Sequence, residues 1–269
     1  MRYIYTGFFL ISSFLSSAQK NISDWDAYLM EVNNKPVSII VDLGLATVAP
    51  QKERPFVIII RTKILQPEAN GLPGKSESAR LDEMENKLVE QLGSKTGSVY
   101  TGRYTQRGLR EFYFYALDTL DYVFAVRSAL AGFSEYQWLT QAKEDKKWTN
   151  YFTVLYPPPI EMEKIQNRRL VDILKSKGDL LKEPRRIEHF FYFKTKSKRE
   201  DFLRSPGIES FSIDEIPEAT EKTALPYMLH LFKDDVPDYS FIDRVLIPLW
   251  ERAKQFEGHY DGWETYLVK

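Results

Sequence analysis

The run Arg185 to Lys194 constrains the fold more than any other stretch, because its two side-chain phases differ in kind. Side chains alternate across a strand. Ile187, His189, Phe191 and Phe193 fall on one side; Arg186, Glu188, Phe190 and Tyr192 fall on the other. The first set belongs in a core, and the second reads as an open sheet face. Such a strand needs helices over one face only, and its neighbours in the chain supply them. Ile160 to Lys177 reads as an amphipathic helix (Ile165, Leu170, Val171, Leu174), stopped by Gly178-Asp179. Ser197 caps a helix through Arg204, and Pro206-Gly207 breaks it. Glu209 to Ile216 is a second strand. Ala224 to Lys233 is a third, after the acidic loop Glu218 to Lys222. Asp238 or Ser240 starts a helix through Phe256, with Pro248 inside it as a kink or restart.

The chain closes on Gly258 to Val268, which opens with a loop signal, a glycine on each side of Tyr260-Asp261, and gives a fourth strand. After its lead helix, the C-terminal half (residues 160–269) therefore runs β-α-β-β-α-β. That order predicts a ferredoxin-like domain, a four-stranded antiparallel sheet with two helices on one face. Its first and third strands are central. On the third, Tyr227, Leu229 and Leu231 go with the helices, and Met228, His230 and Phe232 with the open face. One face thus gathers Arg186, Glu188, Phe190, Tyr192, Met228, His230 and Phe232. A half-apolar face must be covered. The candidates are the first domain, a partner protein, or single-stranded RNA stacked on the aromatics.

Residues 22–156 read as a mixed sheet with two helices. Trp25 to Val32 and Pro36 to Leu43 form a hairpin about Asn33-Asn34. Phe56 to Arg61 is a continuous β-branched run, predicted to be a central strand covered on both faces. Ser76 to Leu92 is a helix that Gly93 stops. Ser98 to Gln106 and Arg110 to Ala116 form a second hairpin, with Arg103, Arg107 and Arg110 around its tip. These are either an anion site or a solvated turn. Asp118 or Thr119 caps a helix through Leu130, and Tyr136 to Ala142 is a further strand. Trp148 to Tyr156 closes the region, and Pro157-Pro158-Pro159 is a stiff linker. The whole chain is α+β in two domains.

The first eighteen residues follow a different logic. Met1-Arg2 is a short positive region, Tyr3 to Leu15 is mostly apolar, and Ser16-Ser17-Ala18 places small residues before Gln19. This is the pattern of a cleavable signal peptide, with a run too short for a membrane span of roughly 20 residues. The expectation is export, periplasmic or secreted, with no membrane span after cleavage; an uncleaved, cytoplasmic chain is the alternative. With no cysteine and three histidines, thiolate chemistry is excluded and a histidine-rich metal site is not expected. A net charge of −1 argues against a general nucleic-acid binder. No cofactor or metal motif is present in the sequence.

His189, Glu188, Asp179 and Asp261 include an acid, a base and an orienting group, but catalysis would need them to converge in a cleft. His189 and Glu188 are strand neighbours and point opposite ways, which puts His189 with the core. Asp261 before Gly262 reads as a turn residue, Trp263 as core. An envelope hydrolase with a site between the domains, near Arg103, Arg107 and Arg110 or near Asp261, is the enzymatic alternative to a binding protein.

Two resemblances add to this reading. The Trp25 hairpin, Tyr100-Thr101-Gly102-Arg103 and the ending Trp148-Thr149-Asn150-Tyr151 through Tyr156-Pro157 resemble a bacterial family of unknown function, number 695. That family implies no activity. Gly178-Asp179, the strand around His189, Pro226-Tyr227 and Tyr260-Asp261-Gly262-Trp263-Glu264 resemble the regulators of ribonuclease activity, type B. That resemblance implies a ferredoxin-like, non-enzymatic domain whose role is to bind and inhibit ribonuclease E. An exported protein would not meet a cytoplasmic ribonuclease. What carries over is the fold and a protein partner, with oligomeric state undefined.

Overall fold

The computed structural model describes residues 23–215 and 224–268. The expected signal segment, residues 1–18, and the acidic loop Glu218 to Lys222 lie outside the described residues. Two compact units emerge. One comprises the described residues up to Asp26 with Ile39–Leu155; the other comprises Ala27–Ser38 with those from Tyr156 onward. The outer part of the first hairpin therefore groups with the second unit, whereas sequence order alone places it in the first.

The N-terminal sheet has six strands: β1 (Trp25–Val32), β2 (Lys35–Asp42), β3 (Phe56–Lys63), β4 (Val99–Gln106), β5 (Leu109–Ala116) and β6 (Trp138–Glu144). Their order is β1-β2-β4-β5-β3-β6. The β-branched run of β3 sits between β5 and β6, antiparallel to both, and Val57 to Ile60 are buried. One face of this sheet, with Ile58, Ile60, Phe112 and Phe114, packs on helices α1 (Lys75–Thr96) and α2 (Tyr122–Leu130). On the opposite face Tyr115 stacks on Trp148, ring centroids 4.0 Å apart. The indole Nε1 of Trp148 donates to the Arg54 carbonyl at 2.9 Å. Both faces of β3 are thus covered, as its unbroken apolar run requires.

Two helix ends differ from the sequence reading. Helix α1 runs through Gly93, and the left-handed cap falls on Gly97 at φ 59°. A mid-helix glycine costs only about 1 kcal/mol, which buried Leu88 and Leu92 offset by packing. Asp118 turns its carboxylate to the Leu120 N–H instead of capping, and α2 begins at Tyr122.

The C-terminal unit contains α3 (Pro159–Ser176), β7 (Arg185–Phe193), α4 (Lys196–Leu203), β8 (Ser212–Glu215), β9 (Tyr227–Asp235), α5 (Tyr239–Phe241), α6 (Ile247–Gln255) and β10 (Gly258–Thr265). The sheet order is β10-β7-β9-β8, antiparallel throughout. This is the ferredoxin-like arrangement, with β7 and β9 central. Pro159 opens α3, so the proline run leads directly into a helix, where a missing N–H costs nothing. Thr195, not Ser197, caps α4, accepting from the Lys198 N–H at 3.2 Å. Ahead of Pro248, residues Ile242–Leu246 form one π-helical turn; a proline cannot donate back along the helix, and the widened turn absorbs the break. Phe191, Phe193, Leu229, Leu231, Phe202, Phe241 and Ala253 form the core between sheet and helices. No helix among the described residues is long and apolar enough to cross a membrane.

Each unit contains a glycine bulge in a strand. In β4 the register slips between Tyr100 and Gly102, and in β10 between Tyr260 and Gly262. In a regular strand, residues three apart face opposite ways. One extra residue corrects the phase. Tyr260 and Trp263 consequently lie opposite Phe191 and His189, both toward the core. The sequence reading of Tyr260-Asp261 as a turn ahead of the strand is corrected on this point: β10 begins at Gly258, and Asp261 is the bulged residue. Gly262 has φ 123° and Gly102 φ 147°, in the region that favours glycine. A Cβ on Gly102 would lie 2.3 Å from the Ile40 carbonyl oxygen, whereas one on Gly262 would meet nothing within 4 Å. Gly262→Ala is expected to cost about 1–3 kcal/mol through backbone strain, and Gly102→Ala more. Urea unfolding of both variants checks this; an equal or smaller loss at Gly102 would contradict the packing.

Candidate functional site on the second sheet

The phase of β7 decides what its open face carries. Arg185, Ile187, His189, Phe191 and Phe193 are buried, while Arg186, Glu188, Phe190 and Tyr192 are half-buried. Cross-strand partners extend the face: Met228 lies opposite Tyr192, His230 opposite Phe190, and Phe232 opposite Glu188. All seven side chains expected on this face are therefore brought together. On β10, His259 pairs with Tyr192 and Glu264 with Glu188.

The charged end of the face is a network. Arg186 Nε lies 2.8 Å from Glu188 Oε1, and its Nη2 lies 2.7 Å from Asp214 Oδ1. His230 bridges the same two carboxylates, with Nδ1 3.2 Å from Asp214 and Nε2 3.0 Å from Glu188. The second contact is close enough for an ion pair but not aligned as a hydrogen bond. The Arg186 guanidinium lies 3.7 Å from the centre of the Phe232 ring, and Phe190 stacks on the His230 imidazole at 4.5 Å. Hydrogen bonding from Arg186 holds the Asp214 carboxyl below its ordinary value. Asp214 was not singled out from sequence, because β8 is four residues long and its phase is legible only against β9.

The residues of the Gly-Asp and Tyr-Asp-Gly-Trp motifs are structural in this arrangement. Gly178 has φ 92° and ends α3. Asp179 accepts from the Leu181 N–H at 2.8 Å, the Val268 N–H at 3.1 Å and Arg185 Nη2 at 2.7 Å. Burial alone would raise its carboxyl; the two N–H groups and Arg185 outweigh that and lower it. His189 Nδ1 and the Tyr260 hydroxyl share a hydrogen bond of 2.9 Å inside the core. Trp263 Nε1 donates to Asn167 Oδ1 on α3 at 2.8 Å. Asp261 is exposed, with its carboxylate 3.4 Å from His259 Nε2, and among the described residues no backbone N–H donates to it.

The arginine cluster of the first unit is a correction. Arg103 is paired with both Asp82 and Glu85 of α1, and Arg110 lies 3.2 Å from the same Asp82. Arg110 is also buried. Only Arg107, at φ 51° in the hairpin turn, stands exposed at the tip. Strand phase turns Arg103 and Arg110 toward α1, so the three do not form an anion site.

Comparison with known proteins follows the division of the chain. Residues 23–156 match the model of a family described as "Family of unknown function (DUF695)". Residues 164–265 match the model described as "Regulator of ribonuclease activity B". The two halves are thus similar to two separate families. No curated protein matches the chain. A solved structure described as an unknown protein from Galdieria sulphuraria is 11% identical; the match covers 80% of this chain and 100% of that one. Its TM-score of 0.23 is too low to bear on the fold.

Burial pulls the His189 imidazole down to about 3, with Asp235 opposing and His230 and Lys233 assisting. Unfolded histidine titrates near 6.5. The unfolded chain therefore binds the extra proton below that value, and stability falls as pH drops from about 6.5 toward 3. His189→Phe is expected to flatten this part of the stability curve. Urea unfolding between pH 4 and 7 measures it; an unchanged slope would place the titration elsewhere.

Proposed function

We propose that this is an exported, non-catalytic protein that binds another protein through the open face of its ferredoxin-like sheet. The observation that carries the reading is the face itself: Phe190, Tyr192, Met228 and Phe232 half-buried beside a charge network. Aromatic side chains surrounded by polar groups suit a protein interface. The face also has a charge preference. Among the described residues at its charged end, Arg186 and the His230 imidazole stand against four carboxylates, Glu188, Asp214, Asp234 and Glu264. That excess repels a phosphate backbone and favours a partner with basic groups.

Two observations support a binding role over an enzymatic one. Of the four candidates for acid–base work, His189 and Asp179 are buried and bonded to Tyr260 and Arg185, while Glu188 is bonded to Arg186 on the open face and Asp261 is exposed beside His259. The match of residues 164–265 is to a regulator. That match also favours a second reading, in which the partner is a ribonuclease and the chain keeps its N-terminus in the cytoplasm.

Immobilised mature protein should retain a partner from envelope extract, with retention weakening as salt rises. Tyr192→Ala with Phe232→Ala should lower retention about ten-fold, the equivalent of 1.4 kcal/mol, at unchanged circular dichroism. Retention that survives this double substitution would remove the face from the binding role. The N-terminus is tested separately by mass spectrometry of the protein from its own cells. A start at Gln19 supports export, whereas an intact Met1 in the cytoplasmic fraction selects the ribonuclease reading.

A further inference from the structure

On the helix side of the second sheet lies a cleft of about 260 Å³. Its apolar floor is Ile208, Phe211, Val245, Pro248 and Leu249, and Lys233, Arg244 and Arg252 stand around it. Among the described residues, no aspartate or glutamate lines it. The sequence places the cations deliberately in space. Lys233 shares the inward phase of Leu229 and Leu231 on β9. Arg244, Pro248 and Arg252 follow at intervals of four, along one side of the last helical segment.

The cations are held in different ways. Arg244 is clamped from behind: its Nη1 and Nη2 lie 2.9 and 2.8 Å from the two oxygens of Asp235. Asp235 is itself anchored by the Val236 N–H at 2.7 Å. That clamp uses two of the five N–H donors of Arg244 and leaves three. Lys233 Nζ lies 3.3 Å from the Ser210 hydroxyl and 5.3 Å from the centre of the Phe211 ring. One carboxylate therefore stands against three cations, beside an apolar floor. A bare hydrated anion meets only the cations, and a neutral apolar molecule meets only the floor.

We propose that this cleft binds a small organic carboxylate, an anionic head on a short aliphatic body. Its volume lies below the roughly 300–1,000 Å³ of pockets for drug-sized ligands, which limits the body to a few carbons. The same chemistry is presented by a free short-chain acid and by the C-terminal residue of a peptide. The site is separate from the open face and does not rest on the binding role proposed for it.

The test is titration calorimetry of the mature chain with hexanoate, hexanol and inorganic phosphate. Hexanoate should bind at least about ten-fold more tightly than either control, and more weakly as salt rises. Arg252→Gln and Lys233→Gln should each weaken hexanoate about ten-fold, while Arg204→Gln, already paired with Asp201 on the surface, should not. Phe211→Ala should weaken hexanoate and leave phosphate unchanged. Tyr192→Ala should leave hexanoate binding intact, which separates this site from the open face. N-acetyl-leucine as a fourth probe distinguishes the sources: tighter binding than hexanoate assigns a peptide C-terminus, weaker binding a free acid. Hexanoate no better than hexanol or phosphate would overturn the proposal, as would unchanged affinity in both Arg252→Gln and Lys233→Gln.

Discussion

The Asp179 carboxylate joins three separated parts of the second unit. It follows the end of α3, pairs with Arg185 at the start of β7, and accepts from the backbone at Val268. Both side chains of the pair are shielded, at 2% and 0% exposure. Burying two charges costs several kcal/mol per ion before any attraction is counted. Only a carboxylate with most of its lone pairs satisfied can sit there. Gly178 at φ 92° makes the approach possible, because the chain must turn sharply before Asp179 can face inward. Gly-Asp is thus the hinge point of the domain's assembly, and its acid is committed to the fold.

The first unit uses the same device. Asp145 accepts from the N–H groups of Thr149 and Asn150, from the Asn150 side chain and from the Tyr115 hydroxyl. Burial opposes its ionisation, but these donors outweigh it and bring the carboxyl down to about 2. The turn so fixed delivers Trp148 onto Tyr115 and Tyr151 to the Asp42 carbonyl. A chain without cysteine has no covalent staple. Its irregular segments are pinned by carboxylates bonded to backbone N–H groups, while apolar burial supplies the bulk of stability.

Much of this was legible in the residues, and the limits are physical. Strict alternation along Arg186 to Phe193 identified both faces of β7, because side-chain direction in a regular strand depends on position alone. The order of elements then set the sheet topology. The bulges were not legible, since a register slip is a relation between two strands and leaves only a glycine in either. For the same reason Asp261 read as a turn. Arg103, Arg107 and Arg110 read as one cluster because Asp82 and Glu85, which pair with Arg103 and Arg110, come from a helix earlier in the chain. Asp214, the missing member of the open-face network, was hidden by the shortness of its strand.

The bulge in β10 also bears on how the second sheet can meet other molecules. β10 and β8 are its two edges. β10 is interrupted between Tyr260 and Gly262, and β8 slips register between Ile213 and Glu215. A strand docking on an edge needs an unbroken row of N–H and C=O groups at regular spacing, and a bulge breaks that row and twists it away. Both rims of this sheet are therefore poor templates for strand addition. A molecule that engages it is steered to the broad surface between the rims, where recognition is by side chains rather than by backbone.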